Sequence, residues 1–506
     1  MTSERNRNKE SVKISFRNFG LIEEASIELG SLDIFIGRNI TGKSYAAVLT
    51  YAVLNALGTG RPLPFRGSPL RLRRKTSPRL SDSDRDGFSR LVQSLLTDYA
   101  SGKSSLASKN EFLQVPVSQL SEGEKNVIAT TMRSLIQTKG IGLASEISRC
   151  FNAPMQTLVR STCRPSDLSI RVIQDFPKLD VEFIFDGSTF QTTIRELEIQ
   201  GLTFQIPQLP FPHPGRPSAQ DRRAMAGYAT DIAIDILSTA IFKFTQRGVV
   251  YLPAARSGIL QAQRAIASTM VGVAPYVGLQ DVEIPAFAGT VSDFLSALFL
   301  MREHSGREVP SSAALLESEI LSGHVLLQTR GQGLPSIEFE TGGNLYPIHL
   351  ASSMVSELAP LVLFLRDHVR QGDIVIIEEP EAHLHPGAQV SLARAIARMV
   401  RENIDLVITT HSEFLITELN NYIRRGSMSP VQRTDAGYPQ DDFLLPTEVR
   451  GYLFEASAQE KSVKVRPLKV TPEEGIPSDQ IDKVSLALHE EFTKTYDIVS
   501  GGDQSA

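Results

Sequence analysis

The sequence predicts an α/β fold: a mixed sheet with crossover helices, entered through a glycine-rich loop and interrupted by an α+β insertion. Three observations lead there. The octapeptide Gly37-Arg38-Asn39-Ile40-Thr41-Gly42-Lys43-Ser44 lies between an apolar run and a helix-like run. Far along the chain, Ile374-Val375-Ile376-Ile377 is a short apolar run that ends in Glu378-Glu379-Pro380. Around it, apolar runs alternate with helical periodicity, the order of parallel strands joined by crossover helices.

Residues 1–60 form the first lobe. Val12–Phe16, Ala25–Leu29 and Ile34–Ile36 read as strands punctuated by Gly20 and Gly30, a small antiparallel element leading into a buried strand. After Lys43, the positions Ala46, Ala47, Val48, Val53 and Leu54 support a helix that Gly58 and Gly60 stop. Residues 61–225 read as an insertion. It opens on a basic loop with Arg61, Arg66, Arg71, Arg73, Arg74, Lys75 and Arg79 ahead of any acid, and continues as helices around 88–100 and 125–148. Strands at Leu168–Val172 and Val181–Phe185 follow, and the proline-rich segment Pro207–Pro214 marks its end.

Residues 226–425 complete the core. Val249–Pro253 reads as a buried strand, a helical stretch covers 255–320, and His324–Gln328, Ser336–Glu340 and Asn344–Ile348 read as strands. Helix 354–370, strand 374–377, helix 388–402, strand 406–409 and helix 412–423 then alternate. Residues 426–506 read as a tail for partner docking, with Ile481, Val484, Leu486, Leu488 and Phe492 on a helix.

With 506 residues, 41% of them hydrophobic and 22% charged, the chain has the make-up of a globular protein with a large core. A net charge of -5 argues against a uniformly basic nucleic-acid sleeve. The two cysteines, Cys150 and Cys163, supply no CxxC pattern, which points to a reducing cytoplasm rather than a disulfide framework or a zinc site. A polar start and the lack of any apolar run of about 18 residues speak against a signal peptide or membrane span.

The glycine octapeptide fits GxxxxGK[ST] in the strand-loop-helix context where backbone N–H groups and a helix dipole hold phosphate oxygens. Gly37, Arg38, Asn39, Ile40, Thr41, Gly42, Lys43 and Ser44 are thus the expected P-loop of an NTPase, with Lys43 on the β- and γ-phosphates and Ser44 on Mg²⁺. Run 374–377 carries two carboxylates to the edge of the sheet where ligands sit. Glu378 is expected to hold Mg²⁺, and Glu379 to polarise the attacking water. His411, at the tip of the next strand, is placed to hydrogen-bond the γ-phosphate. Two oppositely signed motifs from distant parts of the chain therefore describe one ATP and Mg²⁺ site.

Other features read less sharply. His383 and His385 offer too few ligands for zinc. Leu120-Ser121-Glu122-Gly123-Glu124 reads as a capping box that opens a helix. Arg256 is either a phosphate sensor or a structural ion-pair partner, and Phe16 and Phe19 either stack on adenine or fill the core. The basic loop 61–79 is a candidate for nucleic-acid phosphates, for protein docking or for a solvated surface.

Asn39-x-x-Gly42-Lys43-Ser44, Ala351-Ser352-Ser353-Met354-Val355-Ser356-Glu357-Leu358, Glu378-Glu379-Pro380-Glu381-Ala382-His383-Leu384-His385-Pro386 and Thr409-Thr410-His411-Ser412 together resemble the ABC-type ATPases of the OLD, RecF and SMC group. They most resemble stand-alone OLD-like ATPases of bacterial antiphage systems. The resemblance covers roughly 30–60 and 340–425, and is fainter at Tyr251–Gly258. It implies an ABC-type ATPase head in which Ser352 and Ser353 cap a helix and reach the γ-phosphate held by a second subunit. ATP would then join a homodimer or higher homo-oligomer, with Ala382–Pro386 at its interface. Met354 stands where the group carries glycine, and Glu378 where many members carry aspartate.

Many OLD members carry a Toprim nuclease domain after the ATPase. Here Glu474-Gly475 has no Asp-x-Asp following it, so the resemblance implies a separate effector, a nuclease or toxin, controlled in antiphage defence. A DNA-repair or chromosome-maintenance ATPase that clamps DNA directly is the competing expectation, although the insertion lacks a long heptad pattern. A membrane transporter's ATP-binding subunit fits worst, because the motifs are far apart and the signature segment is not LSGGQ.

Overall fold

The computed structural model describes residues 11–58, 80–101, 106–109, 112–207, 219–242, 247–273, 287–301, 308–328, 335–457, 462–477, 488–496 and 498. The chain opens with strands β1 (Val12–Phe19), β2 (Ile22–Leu29) and β3 (Leu32–Gly37), then helix α1 (Lys43–Leu57). The insertion supplies α2 (Asp82–Ala100), β4 (Ser108–Lys109), β5 (Phe112–Pro116), α3 (Glu122–Phe151), α4 (Met155–Leu158), β6 (Ser169–Gln174), β7 (Leu179–Phe185), β8 (Phe190–Leu197) and β9 (Thr203–Pro207). After α5 (Ala219–Ile241) come β10 (Val249–Leu252), α6 (Arg256–Val273), α7 (Gly289–Leu300), α8 (Ser311–Leu315), and strands β11 (His324–Gln328), β12 (Ser336–Thr341) and β13 (Asn344–Pro347). The last part runs α9 (Ser353–Leu363), β14 (Ile374–Glu378), α10 (Pro386–Arg401), β15 (Asp405–Thr410), α11 (Glu413–Gly426), α12 (Pro430–Asp435), β16 (Val449–Ser457) and β17 (Ser462–Leu468).

One sheet of 11 strands, in the order β10-β14-β15-β3-β16-β17-β2-β1-β6-β7-β8, organises the molecule. Strands β10, β14, β15, β3 and β16 are mutually parallel, while β1, β2, β6, β7 and β8 form an antiparallel wing. All five residues of β14 and all six of β15 are buried, as an unbroken apolar run should be when helices cover both faces. In the wing, β6 and β7 alternate buried and half-buried residues, the period of a sheet with one covered face.

Two cores lie on opposite faces. Strand period divides β14 between them: Ile374 and Ile376 join Phe35, Val407 and the α1 residues Ala46, Leu49 and Val53, whereas Val375 and Ile377 join Ile34, Ile408 and residues of α9, α10 and α11. The outcome is the expected α/β fold, with a mixed sheet and an α+β insertion.

Several expectations need correction. The helical stretch 255–320 is broken into α6, α7 and α8, with a wide π-type turn at Leu316–Leu321. Helix 354–370 ends earlier, α9 giving way to a second π-type turn at Phe364–His368. The region read as a tail supplies α12, β16 and β17. β16 lies parallel to β3, because Val449 and the buried run Gly451–Phe454 fill the sheet beside the glycine-loop strand. The basic loop 61–79 lies outside the described residues, as do residues 208–214 of the proline-rich segment and Ile481, Val484 and Leu486. Residues 488–496 are helical, with Leu488 and Phe492 exposed. Cys150 and Cys163 are both free. Among the described residues, no helix is long and apolar enough to cross a membrane.

Candidate functional site

The glycine loop spans the gap between β3 and α1. Gly42 has φ 83°, a conformation that favours glycine, and a side chain at Gly37 would meet the Phe454 carbonyl oxygen at 2.6 Å. The Thr41 hydroxyl donates to the Arg38 carbonyl at 2.7 Å and tightens the loop. Gly37 and Gly42 are half-buried and Thr41 is buried, while Arg38, Asn39, Ile40 and Ser44 face outward. No side chain caps α1 and no acid sits in its first turn, so its first N–H groups stay available to an anion.

Lys43 is buried, and its ammonium donates to the Gly37 carbonyl at 2.7 Å and the Arg38 carbonyl at 2.8 Å. Burial holds its pKa below the ordinary lysine value, although the carboxylates of Glu379 and Glu381 pull the other way.

Register brings the other motifs to the same edge. Glu378 at the end of β14 pairs with Thr409 on β15, and Thr410 pairs with Ile36 on β3, just before the glycine loop. The Glu378 carboxylate is buried, accepts a hydrogen bond from the Tyr251 hydroxyl and lies beside the Ser44 side chain. Desolvation raises its pKa above the ordinary carboxylate value, and the hydroxyls of Tyr251 and Ser44 partly offset the rise.

Glu379 follows in a left-handed conformation, φ 42°. Its N–H donates to both the carbonyl and the hydroxyl of Thr409, each at 3.1 Å, and its carboxylate is partly exposed. His411 stands opposite, half exposed, with Nδ1 3.9 Å from Glu379 Oε1 and 3.7 Å from Glu381 Oε1. Lys43, Ser44, Glu378, Glu379 and His411 thus share one site.

Three further residues complete it. Glu381 is buried; one carboxylate oxygen accepts from the Thr410 hydroxyl at 2.6 Å and the His411 N–H at 3.1 Å, and the other has no hydrogen-bond partner among the described residues. It stood inside the quoted Glu378–Pro386 motif, but spacing alone assigned it no contact. Tyr251 belongs to the faint segment before Gly258, and its ring also packs on Tyr51 of α1 at 5.2 Å. Arg256, left with two readings by the sequence, is a buried ion-pair partner of Glu357 on α9.

Ser352 and Ser353 are exposed at the start of α9, where Ser352 accepts from the Val355 N–H at 3.3 Å. Among the described residues, no hydrogen bond joins either serine to the Lys43 cluster. His385 caps α10 by accepting from the Gly387 N–H at 3.2 Å, and among the described residues no group of three or more His, Cys, Asp or Glu is arranged to hold a metal. Phe16 and Phe19 are fully buried core residues. Ser121 and Glu124 do form the capping box of α3.

The Ser44 hydroxyl and Glu378 carboxylate are oxygen donors side by side next to a glycine cradle, a set that fits Mg²⁺ held between protein and phosphate. A family model described as an AAA ATPase domain matches residues 305–416, which include α9, β14, α10 and β15. No curated protein matches the chain. Among solved structures, the chain is similar to an Smc head bound to the C-terminal winged-helix domain of ScpA, at 12% identity and TM-score 0.35, over 91% of this chain and 98% of that one. It is also similar to a Pyrococcus furiosus Smc head with an extended coiled coil bound to the C-terminal domain of ScpA, at 12% identity and TM-score 0.32, over 94% and 98%. An SMC head domain from Thermotoga maritima aligns at 9% identity and TM-score 0.31, over 90% and 98%.

Proposed function

We propose that the chain binds ATP at the Lys43–Glu378 cluster and hydrolyses it. The observation that carries this reading is the register of β14, β15 and β3, which brings Glu378 and the partly exposed Glu379 beside the glycine loop and its Ser44. The matched AAA ATPase segment supports it.

In this reading the N–H groups of the loop and of α1 receive the phosphate oxygens. Lys43 exchanges its bonds to the Gly37 and Arg38 carbonyls for the β- and γ-phosphates, so the carbonyls pre-place the ammonium at the phosphate end of the loop. Ser44 and Glu378 hold Mg²⁺, which when bound neutralises charge on the phosphate oxygens. Glu379 accepts a proton from water as its oxygen bonds to the γ-phosphorus and the bond to the bridging oxygen of ADP breaks. His411, oriented by Glu381 through its backbone N–H, donates to a γ-phosphate oxygen.

Ser352 and Ser353, exposed at the start of α9, reach the γ-phosphate of a second copy, so ATP joins a homodimer or higher homo-oligomer. That assembly controls a separate effector, a nuclease or toxin, in cytoplasmic antiphage defence. This last step is supported by the likeness of Ala351–Leu358 and Glu378–Pro386 to OLD-like ATPases. Phosphate release from ATP and Mg²⁺ tests the chemistry: wild-type protein should release phosphate and Lys43→Ala should not. A wild-type chain that releases none overturns the reading.

A further inference from the structure

Arg256 opens α6 and is 1% exposed; Glu357, one turn into α9, is 0% exposed. An ion pair so deeply buried survives only when its donors and acceptors are used. Here they are. Nε donates to the Glu357 carbonyl at 3.1 Å, and Nη1 to the carbonyls of Pro253 at 3.0 Å and Glu378 at 2.8 Å. Nη2 donates to the Glu379 carbonyl at 3.4 Å and lies 3.1 Å from Glu357 Oε1. In return, the Glu357 carboxylate accepts the N–H groups of Arg256 at 3.1 Å and Ser257 at 2.9 Å, capping α6 from another element.

One guanidinium therefore ties the end of β10, the end of β14 and α9. Two of its bonds fall on the backbone of the residues that carry the site's carboxylates. Glu379 is left-handed, a strained conformation for a non-glycine residue that persists only where neighbours hold it. Thr409 holds its N–H and Arg256 its carbonyl. Stability alone does not call for this arrangement, because a well-packed apolar pair often replaces a buried ion pair without loss.

We propose that Arg256 is a positioning residue for ATP hydrolysis, fixing the backbone of Glu378 and Glu379 so that the Glu379 carboxylate faces the attacking water, with Glu357 fixing Arg256. The proposal rests on the reading of the Lys43 cluster as an ATPase site. Arg256→Lys keeps the charge but cannot span the same carbonyls. Its kcat should fall about 100-fold, the scale of an ångström-sized misplacement. Its KM and its ATP affinity by fluorescence anisotropy should stay within about twofold of wild type, since the glycine loop is untouched. Beyond turnover, it should retain unhydrolysed radiolabelled ATP on a filter, the outcome also expected of Glu379→Gln.

The double variant Arg256→Met with Glu357→Met separates position from stability. It should melt near the wild-type temperature and still show the lost kcat. A folded variant of either kind that hydrolyses ATP at the wild-type rate overturns the proposal. So does unfolding of both, because the pair would then serve stability alone. An inactive wild-type chain would instead sink the ATPase reading itself, so the two failures are distinguishable.

Discussion

The Ser44 side chain lies beside the buried Glu378 carboxylate, so the first turn of α1 meets the end of β14. Strand β15 lies between β14 and β3, so the two groups meet across a neighbouring strand and not along one.

Glu379→Gln keeps the side-chain volume and removes the proton acceptor. Hydrolysis should drop by about 10²–10⁴-fold while ATP still binds, the range general-base removal costs. Single-turnover phosphate release beside equilibrium ATP binding measures both. Normal turnover would show that Glu379 is not the base.

Glu378→Gln should raise the melting temperature of the nucleotide-free protein and abolish the Mg²⁺ dependence of ATP binding. Burial raises the folded pKa of Glu378 above its unfolded value, so the native state binds the proton more tightly than the unfolded chain. Stability from this group is full below the ordinary carboxylate range and is lost as pH rises through the raised folded value. The wild-type melting temperature should therefore decline relative to that of Glu378→Gln as pH climbs through this window. Parallel melting curves across the series would count against a charged, buried Glu378.

Glu381→Ala leaves the Thr410 hydroxyl and the His411 N–H without their acceptor. Unpaired buried donors cost about 1–3 kcal/mol each, and a loss in that range should appear in urea unfolding. His411 should also lose its placement, so kcat should fall together with stability. Unchanged unfolding would mean that Thr410 and His411 find other partners.

Ser353→Arg adds a bulky cation at the exposed start of α9. ATP-dependent assembly should be lost, while a monomer's ATP affinity stays within about threefold, since the serine makes no bond to the Lys43 cluster. Light scattering with Glu379→Gln and ATP, with and without Ser353→Arg, reads the difference. Assembly that survives the substitution places the interface elsewhere.

How far these relationships were legible depends on their range. Capping at Ser121 and Ser352 is settled within four residues, because each serine hydroxyl here accepts an N–H of the helix turn it opens. Buried strands β14 and β15 announced themselves as apolar runs bounded by charge. The π-type turn at Phe364–His368 carried no comparable local mark.

The glycine loop, the paired carboxylates and the strand–helix alternation were written into the chain because torsional freedom, side-chain reach and hydrophobic period are short-range properties. Folding in three dimensions chose the partners: β16 beside β3, Tyr251 on Glu378, Glu381 beneath His411, and Arg256 against Glu357. Those choices depend on which buried donors and acceptors meet once the sheet is assembled. No residue's own neighbours in sequence carry that information.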